Sequence, residues 1–232
     1  MDEGVGQGVG QGVGQALGDV LGNAVGVALS PLPLVAVIML LMSASGQARA
    51  AAMVAGWLVG LALVLGVFTA MGPLLASDDP RVVVSALKLV VGALLLALAV
   101  RTWRSSGSGG EPEQPRWMGR VQEATVPSCA GVGLALSAAN PKNLGLTAAA
   151  GGSIGGADLS VVAGLVVGLA YVVLASSVML AVVGAAAISP TRAEPVLERM
   201  REWLVLHNGA VLVVVMLVMG ANLLGAGIRG LA

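Results

Sequence analysis

Residues 132–143 read Val-Gly-Leu-Ala-Leu-Ser-Ala-Ala-Asn-Pro-Lys-Asn and interrupt an apolar segment that is too poor in charge for an ordinary soluble helix. The Asn140-Pro141 pair predicts the end of one helix and the start of another, because proline lacks an amide hydrogen and the residue before it avoids the helical region. Lys142 follows at once, and a lysine is costly in hydrocarbon unless it faces a cavity or a partner. The stretch therefore predicts a broken membrane helix with a functional lysine at the break.

A second break is predicted earlier in the chain, where residues 25–33 read Val-Gly-Val-Ala-Leu-Ser-Pro-Leu-Pro. Residues 25–30 match residues 132–137 at an offset of 107, and residues 54–62 match residues 162–170 at an offset of 108. Two matches at nearly one offset indicate an internal repeat of three helices. Because three is an odd number, the second copy enters the membrane from the opposite side, as in the inverted repeats of many secondary transporters.

The composition of the 232-residue chain is that of a membrane protein. The chain is 57% hydrophobic and 10% charged, whereas soluble domains carry about 25% charged residues, and its mean hydropathy is +0.93. Its apolar runs reach the length of a transmembrane helix, about 20 residues. The formal net charge is zero, so there is no basic surface for nucleic acid. The single cysteine, Cys129, excludes an intramolecular disulfide.

These features predict an all-α polytopic membrane protein with six transmembrane helices in a 3+3 inverted repeat, in which helices 1 and 4 are broken. The predicted parts are a flexible glycine-rich tail (1–16), a first three-helix repeat (17–103), a cytoplasmic linker with an interfacial helix (104–125) and a second three-helix repeat (126–232). The predicted spans are 17–42, 50–71, 81–103, 126–150, 159–187 and 204–224, and a second interfacial helix is predicted over 190–203.

The distribution of arginines predicts the orientation. With the N-terminus outside, eight arginines fall on the cytoplasmic side and two, Arg81 and Arg229, on the outer side. The eight are Arg49, Arg101, Arg104, Arg116, Arg120, Arg192, Arg199 and Arg201. Because cytoplasmic loops are enriched in basic residues, both termini are predicted to lie outside the cell membrane.

The two breaks form the candidate site. In an inverted repeat they converge, and if Pro31 and Pro141 each begin a helix, two positive helix ends meet near the midplane, as in membrane sites for anionic groups. The candidate substrate-binding residues are Ser30, Pro31, Pro33, Ser137, Asn140, Pro141, Lys142 and Asn143. The alternative interpretation is that the prolines only kink their helices and that Lys142 bonds to a backbone carbonyl.

Catalysis and metal binding are not indicated by any motif. The chain has no GxSxG elbow, Walker loop or metal-ligand spacing in a suitable context. No acidic residue is predicted at the depth of the breaks, so a cation-coordinating cage is disfavoured. We therefore expect a protein that is not an enzyme, with no catalytic residues, no metal site and no cofactor.

Two stretches, Ala28-Leu-Ser-Pro-Leu-Pro33 and Asn140-Pro-Lys-Asn143, with Gly56 and Gly60 after the first, carry a family resemblance. They resemble the glycolipid-addressing proteins of mycobacteria and their relatives, which include the sulfolipid-addressing proteins and belong to the lysine-exporter superfamily. The resemblance covers roughly residues 25–224. It implies export of an envelope glycolipid, or support of that export, along Ser30, Pro31, Pro33, Asn140, Pro141 and Lys142.

The expected function is therefore that of a multi-pass transporter in the cytoplasmic membrane of an actinobacterium, moving an anionic or glycosylated envelope lipid. The expected partners are a lipid or glycolipid substrate and the bilayer, with a homo-oligomer or a lipid-export machinery left open. A small-solute exporter for an amino acid or ion is one alternative, favoured by a sealed, narrow polar cavity. An accessory subunit of a lipid-export machine is the other, favoured by a midplane that is packed solid.

Overall fold

A computed structural model describes residues 18, 20–43, 45–74, 80–106, 124–157 and 159–231. The described helices are α1 (Val20–Ala28), α2 (Pro31–Leu41), α3 (Gly46–Leu74), α4 (Pro80–Ser106), α5 (Val126–Ala138), α6 (Pro141–Gly155), α7 (Val161–Ile188) and α8 (Pro190–Leu231). The predicted glycine-rich tail, and the interfacial helix of the 104–125 linker, lie outside the described residues.

Four of the described helices are long and apolar enough to cross a membrane. These spans are Gly46–Gly72 in α3, Ser85–Arg104 in α4, Val161–Ile188 in α7 and Gly209–Leu231 in α8. The bent pair of α1 and α2, with an angle of 47° between them, adds a fifth if it is one broken span. The chain is therefore an all-helical membrane protein over its described residues, with four or five candidate spans where six were predicted.

The fourth predicted span, 126–150, corresponds to α5 and α6, and the composition of α6 explains why this span does not count as apolar. Helix α5 is a shorter apolar helix, whereas α6 contains Lys142, Asn143 and several glycines. Nearly all of α6 is buried, including both of these polar residues and the run 145–154. A helix surrounded by protein does not need the composition of one that faces lipid, so α6 is a central helix of the bundle.

Both predicted helix breaks are confirmed, at Ser30-Pro31 and at Asn140-Pro141. Relative to the sequence match, however, the second break falls three residues later, because Ala138, Ala139 and Asn140 separate Ser137 from Pro141. Ser30 is consequently the N-cap of α2, while its sequence counterpart Ser137 still lies within α5.

Helices pack through glycines, as is usual where lipid removes the hydrophobic driving force between helices. At the crossing of α3 and α5, a Cβ on Gly56 would collide with the carbonyl of Ala130, and one on Gly133 with the carbonyl of Met53. At the crossing of α4 and α8, a Cβ on Gly92 would lie 2.9 Å from the carbonyl oxygen of Gly220. These are the two most extensive helix pairs in the bundle.

The predicted interfacial helix over 190–203 and the predicted span over 204–224 form one continuous helix, α8, of 42 residues. At 1.5 Å per residue α8 is about 63 Å long, about twice the thickness of the hydrocarbon core. The Trp203 and His207 rings stack with centroids 4.8 Å apart, and His207 Nδ1 lies 2.8 Å from the Trp203 carbonyl oxygen. The predicted boundary carries no helix breaker, so the helix continues through it.

Candidate functional site

The two helix breaks meet in space. Ser30 Oγ, at the start of α2, donates a hydrogen bond of 2.9 Å to Asn143 Oδ1 in the first turn of α6. Asn143 Nδ2 in turn donates to the carbonyl oxygen of Leu136, in the last turn of α5, at 3.1 Å. One buried asparagine thus connects both breaks, and we call this meeting point, together with Lys142 and Gly26, the break junction.

Lys142 bonds to the other half of the first break. Its Nζ donates to the carbonyl oxygen of Gly26, near the C-terminus of α1, at 2.8 Å. The last carbonyls of a helix have no partner within it, and a cation near this end interacts favourably with the helix dipole. The side chain is only 1% exposed. The alternative interpretation, in which Lys142 bonds to a backbone carbonyl, therefore describes the contact in this structure.

The helix starts at the junction offer few free amides to an anion. Helix α2 has proline at positions 31 and 33, and each proline removes one backbone donor. In α6, Asn140 caps the helix by accepting a 3.0 Å hydrogen bond from the backbone N–H of Lys142. The break junction therefore brings together the carbonyl ends of α1 and α5 and the amide ends of α2 and α6. Its partial charges are more balanced than those of two facing positive helix ends.

The eight predicted site residues have different environments. Ser30, Pro31, Pro33, Ser137, Lys142 and Asn143 are buried, Asn140 is half-buried and Pro141 is exposed. Ser137 Oγ donates to the carbonyl oxygen of Leu134 in its own helix at 2.9 Å and occupies the space that a Cβ on Gly60 would need. The structure thus brings Ser30, Lys142 and Asn143 together, while Ser137 and Asn140 make local bonds.

Sequence reasoning missed a second buried polar pair one turn further along α6. Thr147 Oγ1 and Tyr171 Oη of α7 are 2.9 Å apart, and both residues are 0% exposed. The signal was that the only tyrosine of the chain falls inside a predicted span. Because a hydroxyl is costly to bury unless it is hydrogen-bonded, this residue required a partner.

Four buried polar atoms lack a hydrogen-bond partner in the described part of the chain. They are Nδ2 of Asn23, Nε1 of Trp57, Oγ of Ser176 and Nε of Arg201. Asn23 is 2% exposed and lies one turn before Gly26 on α1, whereas Ser176 lies on α7. A buried donor without an acceptor costs about 1–3 kcal/mol, and Nδ2 of Asn23 is such a donor on the helix whose end Lys142 contacts.

The described residues contain no group of three or more histidine, cysteine, aspartate or glutamate side chains placed to hold a metal ion. Polar chemistry at the junction comes from one ammonium group, hydroxyls, amides and backbone carbonyls. Such a set can hold an anionic or hydroxyl-rich group by charge and hydrogen bonding.

Comparison with known proteins adds one match. Neither curated proteins nor solved structures yield a match to the chain. A protein-family profile described as "Sap, sulfolipid-1-addressing protein" matches residues 20–229, which include both breaks and every described helix except the last residues of α8. The chain belongs to this sulfolipid-1-addressing protein family.

Proposed function

We propose that the protein exports an anionic or glycosylated envelope lipid across the cytoplasmic membrane, and that the polar head group passes through the break junction. The family description names a sulfolipid, and a sulfated head group is anionic. The observation that carries the proposal is the position of Lys142, a lysine enclosed where two broken helices meet. Intramembrane lysines usually mark a substrate or ion pathway.

The junction has donors to exchange for a head group. The lysine ammonium has three donor hydrogens, and the Gly26 carbonyl accepts one of them. An anion that reaches this ammonium makes a charge-assisted bond, which is stronger than a bond to a neutral carbonyl. The amide of Asn23, buried without a partner one turn away on α1, supplies a further donor. Head-group entry would then separate α1 from α6 at the break.

The architecture that we propose is the six-span 3+3 inverted repeat of the lysine-exporter superfamily, with both termini outside. Reciprocal packing supports it. Helix α4 packs on α6 just as α2 packs on α8, and α3 packs on α6 as α2 packs on α7. Such paired contacts are what a two-fold relation between the two halves requires. The wider superfamily, the actinobacterial origin and the absence of catalysis are parts of this proposal.

The burial of the break junction bears on the two alternatives to lipid export. Lys142 is 1% and Asn143 is 0% exposed, so an export pathway through the junction requires a second, more open conformation. A small-solute exporter needs a smaller opening, and an accessory subunit of a lipid-export machine needs none. Export of the lipid by the reconstituted protein alone separates the proposal from both.

The test is lipid export by Lys142→Met, measured in cells or in proteoliposomes beside the unmodified chain. We expect export to be lost, because the variant keeps the length of the side chain and removes its charge. Lys142→Arg should retain part of the activity, since its guanidinium keeps the charge but has a different shape. The matched control is Lys88→Met, which changes another buried lysine, on α4.

Folding must be followed in the same samples by thermal unfolding in detergent. Loss of the bond to Gly26 leaves a buried carbonyl unsatisfied, at a cost of about 1–3 kcal/mol, partly offset by removal of a buried charge. A folded Lys142→Met variant that exports lipid normally contradicts the proposal. Equal loss of export in Lys88→Met would show that burial of charge in general, and not the junction, controls transport.

A further inference from the structure

The first four turns of α8, over residues 190–204, distribute their charges unevenly around the helix. At helical spacing, residues three, four and seven apart share a face. One side carries two arginines with apolar residues between and beyond them, and we call it the basic face: Arg192, Val196, Arg199 and Trp203. Glu194, Glu198 and Glu202 recur every four residues away from this face, and Arg201 lies on their side of the helix. The basic face therefore carries two arginines and no glutamate, although residues 190–204 contain three acids and three bases.

The basic face lines two apolar grooves. The first groove, of about 770 Å³, lies between the C-terminal half of α7 and the start of α8 and is lined by Ala181, Ala185 and Arg192 among others. The second groove, of about 430 Å³, lies between α8 and α2 and is lined by Arg199 and Trp203 among others. Pockets of about 300–1,000 Å³ are large enough for small ligands.

A shared ridge separates the two grooves. Val196 and Met200 line both of them, so the grooves run on either side of these two side chains. Each groove has one arginine in its lining, and among the described residues no glutamate lines either groove. Two apolar channels with a cation beside each form a surface that complements an amphiphile with two tails and a negative head.

We call the region formed by the end of α7, the start of α8 and the two grooves the elbow. We propose that the elbow binds an anionic membrane lipid with two acyl chains. One chain occupies each groove, and the head group lies between Arg192 and Arg199. The two arginines are seven residues apart, which is about 10 Å along a helix axis, so their long side chains can converge on one head group. Guanidinium groups bind phosphate and sulfate oxygens in a bidentate manner. Trp203 suits the boundary between hydrocarbon and head groups.

The site is separate from the break junction but adjoins the helix that starts there. Leu34 of α2 lines the second groove and lies one turn after Pro31. Lipid binding at the elbow does not depend on the charge of Lys142, so this inference goes beyond the proposed export function. Either can fail while the other holds.

The test uses the full-length protein in a neutral detergent, and native mass spectrometry counts lipids bound from micelles with equal amounts of dioleoyl phosphatidylglycerol and dioleoyl phosphatidylcholine. We expect selective retention of the anionic lipid. Arg192→Gln and Arg199→Gln should each weaken its binding roughly fivefold at low salt, the contribution of one arginine near an anionic lipid surface. The control, Arg201→Gln, removes one positive charge from the half-buried arginine on the glutamate side of α8 and should retain binding.

Two further variants test whether the grooves hold the acyl chains and whether lipid binding at the elbow is independent of transport. Ala185→Phe, which fills the first groove without a change of charge, should weaken binding of the two-chain lipid and spare single-chain lysophosphatidylglycerol. Lys142→Met should bind the anionic lipid as the unmodified chain does. Equal retention of both head groups, an equal loss in Arg201→Gln, or equal loss of one-chain and two-chain lipid in Ala185→Phe would overturn the proposal.

Discussion

A lysine is tolerated in the middle of this bundle because the helix break beside it creates an acceptor. In an unbroken helix the Gly26 carbonyl would accept from the amide four residues later. Helix α1 ends at Ala28, and Lys142 Nζ lies 2.8 Å from that carbonyl oxygen. The break and the lysine, which are 116 residues apart in the chain, are therefore chemically matched. The free carbonyl of Gly26 and the buried ammonium of Lys142 are each explained only by the presence of the other.

Asn23 offers a test in which stability and activity move in opposite directions. Replacement by leucine removes a buried Nδ2 group that has no acceptor, so the free energy of unfolding should rise by about 1–3 kcal/mol. If the amide serves a head group, export should fall in the same variant. Thermal unfolding in detergent and the export assay measure the two effects.

The matched control for Asn23 is Ser176→Ala. Ser176 Oγ is likewise buried without a partner, but it lies on α7 and away from the named contacts of the junction. We expect higher stability with unchanged export. Equal export losses in both variants, or a less stable Asn23→Leu protein, would refute the assignment of Asn23 to the pathway.

The link between the two breaks can be measured by a double-mutant cycle on Ser30 and Asn143. The two side chains share a buried hydrogen bond of 2.9 Å, so Ser30→Ala and Asn143→Ala should be non-additive by about 0.5–1.5 kcal/mol. Chemical unfolding in detergent gives the coupling energy. As a control, Ser177→Ala should be additive with Asn143→Ala, because Ser177 Oγ bonds to Leu174 of its own helix.

Additive behaviour of Ser30 and Asn143 would mean that the breaks are neighbours without an energetic connection. The proposal that a head group moves both breaks together would then lose its physical basis. A large coupling supports a junction that opens as one unit.

At the scale of helices, the sequence determined where the breaks occur but not how the helices end. Proline fixes a break through its missing amide hydrogen, and that property is local, so Pro31 and Pro141 were identified correctly. The continuity of α8 through Trp203 and the burial of α6 depend on neighbours that no local pattern contains. Composition predicted a boundary where the polarity changes, whereas the helix has no reason to stop there.

Two glycines of α5 give a matched test of helix packing. A Cβ on Gly133 would collide with the Met53 carbonyl on α3, whereas a Cβ on Gly131 meets nothing within 4 Å. Gly133→Ala should destabilise the protein by about 1–3 kcal/mol through overpacking. Gly131→Ala should be neutral or stabilising by up to about 1 kcal/mol, because alanine favours helix.

Thermal unfolding of the two alanine variants in one detergent gives the comparison. Similar midpoints would show that α5 does not approach α3 as closely as the structure has it. A loss confined to Gly133→Ala would confirm that the missing side chain is what allows this crossing.

For the molecule as a whole, the sequence predicted a membrane protein with converging breaks, and it missed the contacts that hold the convergence. Asn143 was predicted as a site residue because it follows the break, but its role as the connector depends on Ser30, 113 residues away. The Thr147 and Tyr171 pair is likewise a contact between two helices. Single-sequence periodicity carries no information on which helix lies beside which.

The predicted orientation is tested by cysteine labelling from the two sides of the membrane. The background is Cys129→Ala, which removes the only native cysteine; that side chain is 1% exposed, and its loss should leave export unchanged. Single cysteines replace Gly6 in the tail, Ser108 in the linker and exposed Ile188 at the elbow between α7 and α8. We expect Ser108→Cys and Ile188→Cys to react with an impermeant reagent only from the cytoplasmic side, and Gly6→Cys only from outside.

The physical reason is the excess of arginines in the segments around the linker and the elbow, which resist translocation across the membrane. The part of α8 before Gly209 would then extend into the cytoplasmic interface and place the basic face against the inner leaflet, where anionic lipids attract arginine. Labelling of Gly6→Cys and Ser108→Cys from the same side would require an even number of spans between them. That outcome would exclude the three-helix first repeat and, with it, the inverted relation that makes the two breaks equivalent.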